Sequence, residues 1–123
     1  MKTQNIRNYG TMIHLSCFAG YIFPFGNIIA PLILWSMKKD ESNFIDAHGK
    51  SAINFQLSLL LYLFLLAILI VPIAIFTLGL GLVALAFGVI PFIFLTILLI
   101  IQASLKASNG EYYRYPFTID FLK

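Results

Sequence analysis

The stretch SAINFQLSLLLYLFLLAILIVPIAIFTLGLGLVALAFGVIPFIFLTILLIIQASL, residues 51–105, runs for 55 residues without a Lys, Arg, Asp or Glu. A hydrocarbon core about 30 Å thick takes about 20 apolar residues per helical crossing. The stretch therefore predicts two membrane-crossing helices joined by a short turn. A second uncharged run, residues 9–37, precedes it and has room for further helices.

The composition of the whole chain agrees with a membrane protein. Of its 123 residues, 60% are hydrophobic and 11% are charged, whereas a soluble domain is about 45–50% apolar and about 25% charged. This balance excludes a soluble enzyme, a disordered tail and a disulfide-stapled secreted domain, and Cys17 has no second cysteine to pair with. The net charge of +3 is typical of cytoplasmic flanks rather than of nucleic-acid binding. We therefore expect a lipid bilayer as the surroundings and no nucleic-acid partner.

The two long helices have recognisable ends. One is predicted over residues 44–76, with Asn43 as its N-cap and a bend at Pro72. The other is predicted over residues 82–108, with a kink at Pro91 and a C-terminal stop at the Asn-Gly pair that follows. The turn between them is short and uncharged.

The first uncharged run allows two arrangements, because Pro24 and Pro31 interrupt it. It is either one kinked span or a pair of short helices, residues 9–23 and 27–37, with Asn27 as the N-cap of the second. The pair would enter and leave the membrane on the same side.

Sidedness follows from the Lys and Arg residues in short flanks, which mark the cytoplasmic face. A single crossing would leave two basic residues on one side and six on the other, whereas a helical pair places all eight on one side. The second split is sharper, so we favour the pair. Both arrangements place the loop 38–50 and the C-terminus in the cytoplasm.

The sequence thus predicts an all-α integral membrane protein with a single membrane domain over residues 1–123. Its architecture is a compact bundle of two long kinked transmembrane helices plus an N-terminal pair of short helices. Three spans are the alternative.

Polar side chains are concentrated at the start of the first long helix. Asn54, Ser58 and Tyr62 recur at four-residue spacing and extend back to Lys50, while His48 and Gln56 lie on a second stripe. Polar groups at membrane depth must face protein or water. The stripes predict either hydrogen bonds between helices or a polar pocket at the cytoplasmic face.

Sites for chemistry are not visible in the sequence. His14, His48, Asp46 and Cys17 lack the spacing of a metal site, and no catalytic triad or phosphate-binding loop is present. We therefore expect no enzyme activity, no cofactor and no metal. His14 and Cys17 are interpreted as packing residues.

The last segment, residues 109–123, is rich in aromatic side chains. An extended chain would place five residues on one side: Tyr113, Tyr115, Phe117, Ile119 and Phe121. Together with Arg114 they predict an aromatic tail at the membrane interface. A strand that binds a partner is the alternative.

Four blocks carry a resemblance to a known family: Pro31-Leu-Ile-Leu-Trp35, Lys38-Lys-Asp-Glu-Ser42, His48-Gly-Lys-Ser-Ala-Ile-Asn-Phe-Gln56 and Asn109-Gly-Glu-Tyr-Tyr-Arg-Tyr-Pro116. They resemble small bacterial membrane proteins of a domain-of-unknown-function family. That family is similar to the channel-like subunit of the chloroplast inner-envelope import translocon (Tic-twenty type). The resemblance implies a helical domain of three or four spans in the bacterial inner membrane, with cytoplasmic termini. Ser51 stands where that family usually has Glu, so no carboxylate role is carried over to this position.

These observations lead to one main functional hypothesis, a non-enzymatic membrane protein that engages a protein partner or a hydrophobic segment through a polar cytoplasmic-side pocket. The pocket candidates are His48, Lys50, Asn54, Gln56, Ser58, Tyr62 and Arg114, flanked on the cytoplasmic side by Lys38, Lys39 and Asp40. The alternative is a homo-oligomeric pore for ions or small solutes, lined by Asn54, Ser58 and Tyr62.

Overall fold

The computed structural model describes residues 3–123, which form four α-helices and a C-terminal tail without strands. Helix α1 is Thr3–Ser16 and continues as a 3-10 turn, Cys17–Tyr21. Helix α2 is Gly26–Lys38, helix α3 is Asn43–Phe76 and helix α4 is Leu80–Ser108. The predicted fold class, all-α with an N-terminal pair of short helices and two long ones, is confirmed.

The N-terminal helices double back on each other. The Tyr9 hydroxyl at the middle of α1 donates to the Leu34 carbonyl in the second half of α2, at 2.5 Å. The Lys38 ammonium at the end of α2 lies 5.8 Å from the centre of the Tyr9 ring. At about 1.5 Å per residue, each helix is about 20 Å long and too short to cross a hydrocarbon core of about 30 Å.

The reversal between α1 and α2 depends on backbone conformation. Phe25 precedes α2 with a left-handed φ of 62° and makes no side-chain cap bond. A Cβ at Gly26 would lie 2.5 Å from the Ala19 carbonyl oxygen, so only glycine fits this close approach. The predicted N-cap at Asn27 is therefore wrong, because Asn27 already lies inside the helix and its side chain bonds elsewhere.

Helix α3 begins one residue earlier than predicted. Ser42 is its N-cap, in an extended conformation, and its hydroxyl accepts a hydrogen bond from the Phe44 amide at 3.1 Å. The predicted cap at Asn43 is wrong because Asn43 is already helical. Pro72 and Pro91 lie within α3 and α4, which continue past them, and the turn between the two helices is reduced to residues 77–79.

The outer parts of the long helices, residues 60–76 and 80–98, are called the arms. The most apolar 18-residue windows of α3 and α4 are 0% and 11% buried by protein, and no arm residue is fully buried. The arms are about 25 and 28 Å long at about 1.5 Å per residue, close to the thickness of the hydrocarbon core. Lipid can supply the packing that protein does not, so α3 and α4 have the length and the surface of membrane-crossing helices.

The rest of the described chain forms the head: α1, the 3-10 turn, α2, the start of α3, the end of α4 and the tail, residues 109–123. Its core consists of nine buried residues, Tyr9, Ile13, Cys17, Ile45, Ala52, Phe55, Ile100, Ala103 and Tyr115. All charged side chains among residues 3–123 belong to the head, and the turn 77–79 has none. The assignment of residues 1–123 to a single domain stays a prediction.

Candidate functional site

A chain of hydrogen bonds joins two histidines and a tyrosine inside the head. His14 Nε2 on α1 lies 2.7 Å from His48 Nδ1 on α3, and His14 Nδ1 lies 2.7 Å from the Tyr115 hydroxyl of the tail. The other ring nitrogen of His48, Nε2, lies 2.7 Å from the Glu111 carbonyl oxygen. The side chains of His14, His48 and Tyr115 are at most 1% exposed. These buried hydrogen bonds therefore link α1, α3 and the tail inside the head.

The partners fix where the hydrogens lie when both rings are neutral. The Glu111 carbonyl can only accept, so His48 Nε2 carries the hydrogen and His48 Nδ1 accepts from His14 Nε2. His14 Nδ1 is then an acceptor and takes the Tyr115 hydroxyl hydrogen. Three hydrogens meet three acceptors, and among the described residues no buried side-chain polar atom lacks a partner.

Burial favours the neutral forms of the hydrogen-bonded side chains. Loss of hydration, reinforced by repulsion from His48, lowers the pKa of His14 to about 3, and burial raises the pKa of the Tyr115 hydroxyl well above its usual value. Burial also raises the pKa of the Cys17 thiol to about 12, so this cysteine is a packing residue rather than a nucleophile.

Aromatic rings cover the hydrogen-bonded chain. Phe44 lies 4.4 Å and Tyr112 lies 6.0 Å from His48, centroid to centroid, and the Tyr112 ring is stacked nearly parallel to it. Phe55 stacks on Tyr115 with centroids 4.1 Å apart. These contacts exclude water from the histidine pair, which strengthens its hydrogen bonds and makes any unpaired polar group costly.

The predicted polar stripe on α3 binds the tail. The Asn54 side chain donates to the Leu122 carbonyl at 3.0 Å and accepts from the Leu122 amide at 2.8 Å. The Ser58 hydroxyl accepts from the Ile119 amide at 2.8 Å, and the Tyr62 hydroxyl donates to the carbonyl of Phe117. Side chains four residues apart on α3 thus form hydrogen bonds with backbone groups along the tail, which has no regular secondary structure.

The stripe continues toward the N-terminus of α3. The Lys50 ammonium pairs with Asp46 at 3.0 Å and donates to the Lys123 carbonyl at 3.0 Å, and Ser51 donates to the Tyr113 carbonyl at 2.8 Å. The polar pocket predicted from the sequence is therefore filled by the chain's own tail, and the three residues of the pore alternative make bonds to that tail. Whether either hypothesis describes the function stays a prediction.

Arg114 and Gln56 lie apart from this stripe. Arg114 borders the shallow depression beside Lys50 but pairs with Asp120 of the tail at 2.7 Å. The Gln56 side chain accepts from the Asn27 amide at 2.8 Å. The side chains of Asn27, Gln56 and Cys17 line a mainly apolar cavity of about 320 Å³ at the boundary between head and arms.

The cytoplasmic-flank candidates form a separate charged corner. Lys38 pairs with Glu41 at 3.5 Å, and the Lys39 ammonium lies 4.6 Å from the centre of the Trp35 ring. Asp40 shares a polar depression of about 580 Å³ with Lys39, Lys50 and the last three residues of the tail.

The regular alternation predicted for the tail is wrong. Tyr115 is 1% exposed whereas Phe117 is 83% exposed, because the chain turns after Pro116 and Phe117 adopts a left-handed φ of 60°. The five residues therefore do not share one side. Sequence reasoning placed Tyr115 in this pattern and read His14 as a packing residue, and no local signal could have joined them, since 101 positions separate the two.

Among the described residues no group of three or more His, Cys, Asp or Glu is placed to hold a metal ion.

Comparisons with known proteins give one positive result. Neither the curated proteins nor the solved structures contain a match to this chain. A family model described as the magnetosome magnetite crystal formation protein family matches residues 5–122.

This match overturns the resemblance to the translocon-type family. The four blocks that carried the resemblance all lie within the matched range. Several of the residues in these blocks, among them His48 and Trp35, make hydrogen bonds within the head. The chain belongs to the magnetosome magnetite crystal formation protein family.

Proposed function

We propose that the chain is a non-enzymatic protein of the magnetosome membrane, which contributes to magnetite crystal formation by binding a protein partner through its charged head. The observation that carries this proposal is the distribution of charge. Among residues 3–123, every Lys, Arg, Asp and Glu belongs to the head.

The turn between the arms is poorly equipped to bind ions. Hard cations are held by several oxygen ligands, usually including carboxylates. Residues 77–79 offer one side-chain hydroxyl, that of Thr77, which already donates to the Ile73 carbonyl and accepts from the Gly81 amide. The proposal therefore assigns the protein's contribution to the head.

The orientation that we propose follows from the basic residues. Lys and Arg in short flanks mark the cytoplasmic side of a membrane, and the described basic residues all lie at the head end. The head then faces the cytoplasm, the turn 77–79 reaches the opposite side, and the effect on the crystal is exerted through the partner.

The partner surface that we propose is the depression beside the α2–α3 loop, since the inner polar stripe is occupied by the tail. Among the described residues, the side chains of Lys39, Asp40 and Lys123 border this depression and take part in no ion pair, which leaves two positive side chains against one negative. The chain has a net charge of +3. These charges favour a partner segment that carries acidic side chains.

A crosslinking experiment tests the surface. A photoreactive amino acid replaces Lys39 in one variant and Leu78, which is 96% exposed at the far end of the molecule, in a matched control. In native magnetosome membranes we expect a polypeptide adduct from position 39 and none from position 78. Adducts from position 78 alone, or from neither position, would refute the proposed surface.

A cellular experiment tests the contribution to the crystal. The double variant Lys39→Glu/Lys123→Glu reverses the two charges without touching the core, and a Leu78→Ser variant serves as control. We expect the double variant to produce smaller or fewer magnetite crystals than the control at equal protein abundance in the membrane. Wild-type crystals from the double variant would contradict a role for the charged head.

A further inference from the structure

We propose that His14, His48 and Tyr115 form an acid-sensitive latch, which holds the tail on α3 at neutral pH and releases it when the histidine pair takes up a proton. The latch is a property of the folded head and is independent of the proposed function.

The first step toward release concerns the number of hydrogens in the latch. In the neutral state the three side chains supply three hydrogens to three acceptors: His14 Nδ1, His48 Nδ1 and the Glu111 carbonyl. One added proton turns His14 Nδ1 into a donor toward the tyrosine oxygen, whichever ring carries the charge. The hydroxyl hydrogen of Tyr115 then has no acceptor among the described contacts, in a place where an unpaired polar group is costly.

The second step is the burial of the new charge. The elements that pack against one another around the pair carry further charged and titratable groups, among them Arg7 and Tyr9 on α1, Cys17 on the 3-10 turn, Lys38 on α2, Asp46 and Lys50 on α3, Lys106 on α4, and Glu111, Tyr112 and Tyr113 of the tail. The carboxylates in this set have lysine partners, Glu111 with Lys106 at 3.3 Å and Asp46 with Lys50 at 3.0 Å. Both of these carboxylates are therefore already paired with a lysine, and neither forms an ion pair with His14 or His48.

The third step is the geometry of the attachment. Three hydrogen bonds join four groups in the latch, and two of these groups, the Glu111 carbonyl and the Tyr115 hydroxyl, belong to the tail. The tail leaves α4 through Gly110, whose φ of +80° sets its direction. When Glu111 and Tyr115 move away, the histidines reach water and protonate with ordinary affinity. The cost of the buried charge is thus relieved by moving the tail and not by unfolding the helices.

Release has a defined consequence for the surface of α3. Asn54 and Ser58 now bind the backbone of Leu122 and Ile119. Once the tail departs, these side chains become an accessible polar strip at the base of the arms. The latch thus decides whether the strip is filled by the chain itself or is open to other groups.

Hydrogen–deuterium exchange of the full chain in detergent micelles tests the latch. The Ile119 and Leu122 amides donate to Ser58 and Asn54, so their protection, corrected for intrinsic exchange, reports on release. For one histidine with an ordinary pKa of about 6.5 in the open state, we expect protection of the tail to fall about 30-fold between pH 7.5 and pH 5.0. Residues 43–58 of α3 should keep their protection over the same range.

Two variants make the test decisive. His14→Gln/His48→Gln removes both titrating groups, so tail protection should be the same at the two pH values. If this variant loses the folded head, as judged by Trp35 emission, Tyr115→Phe replaces it. Phenylalanine keeps the stack on Phe55 but removes the hydroxyl donor, so protection should fall at pH 7.5 while its dependence on pH remains.

Three results would overturn the latch. They are tail protection in the wild type that is unchanged down to pH 5.0, an acid-induced loss that is equal in the tail and in α3, and a pH response of the double glutamine variant equal to that of the wild type. In the Tyr115→Phe variant, protection equal to that of the wild type at pH 7.5 would also contradict it.

Discussion

Gly49 lies on α3, which packs against α2, and the Trp35 ring of α2 occupies the space next to it. A Cβ at position 49 would lie 2.1 Å from Trp35 Cδ1 and 2.6 Å from Trp35 Cγ. The indole is also held by its own contacts, since Trp35 Nε1 donates to the Asp46 carboxylate at 2.9 Å. The methyl group added by Gly49→Ala therefore overlaps the Trp35 ring, which has to move.

The magnitude follows from the required displacement. Ordinary van der Waals contact begins at 3.4 Å, so the ring must retreat by more than 1 Å and its hydrogen bond to Asp46 is broken. Overpacking costs about 1–3 kcal/mol, and a hydrogen bond to a charged group contributes about 1.5–3 kcal/mol. In the opposite direction, alanine within a helix is more stabilising than glycine by about 0.5–1 kcal/mol. We expect Gly49→Ala to lower the free energy of unfolding by roughly 2–4 kcal/mol.

The assay uses the one tryptophan of the chain. Thermal and denaturant unfolding in detergent, followed by Trp35 emission and circular dichroism, gives the stability, and the emission maximum of the folded state should shift to the red. Gly88→Ala is the matched control, because a Cβ at position 88 meets nothing within 4 Å. It should be neutral or slightly stabilising. If Gly49→Ala is as stable as Gly88→Ala, with unchanged emission, the close packing of α2 on α3 is not as described.

The remaining predictions address a cap, a turn, the tail and pH. Ser42→Ala removes the N-cap bond of α3 and should cost about 1 kcal/mol in the same unfolding assay. Gly110→Ala places a Cβ at a φ of +80° and 2.5 Å from a guanidinium nitrogen, so its melting temperature should fall below that of Gly88→Ala. Asn54→Leu leaves the tail backbone without both partners, which should make residues 111–123 sensitive to protease at neutral pH, while the rest of the head stays resistant. The pKa of His14 in the folded state is lowered to about 3, so below the ordinary histidine pKa of about 6.5 the unfolded chain binds more protons than the folded one. The free energy of unfolding should therefore drop by about 2 kcal/mol from pH 7.5 to pH 5.0. Equal melting curves at the two pH values would contradict a buried neutral histidine.

Much of the candidate site was visible in the sequence as residues but not as contacts. Asn54 and Ser58 stood out because amides and hydroxyls are rare in an apolar run, and both proved to be buried and hydrogen-bonded. Their partner could not be predicted, because Leu122 and Ile119 contribute backbone groups, which every residue possesses. His14 was interpreted as a packing residue and Gly49 gave no signal, since a lone histidine and a lone glycine are compatible with many environments.

The sequence by itself determined the two long apolar helices, and it favoured the two-helix N-terminal segment that collects the charge at one end. These properties are sums over neighbouring residues: hydropathy over a window, breaks at proline, and the sign of nearby side chains. The tertiary structure alone decided which polar groups meet. His14 and His48 are 34 positions apart, Asn54 and Leu122 are 68 apart, and their bonds form only because crossing helices and a returning tail bring them together in an interior where each polar group must find a partner.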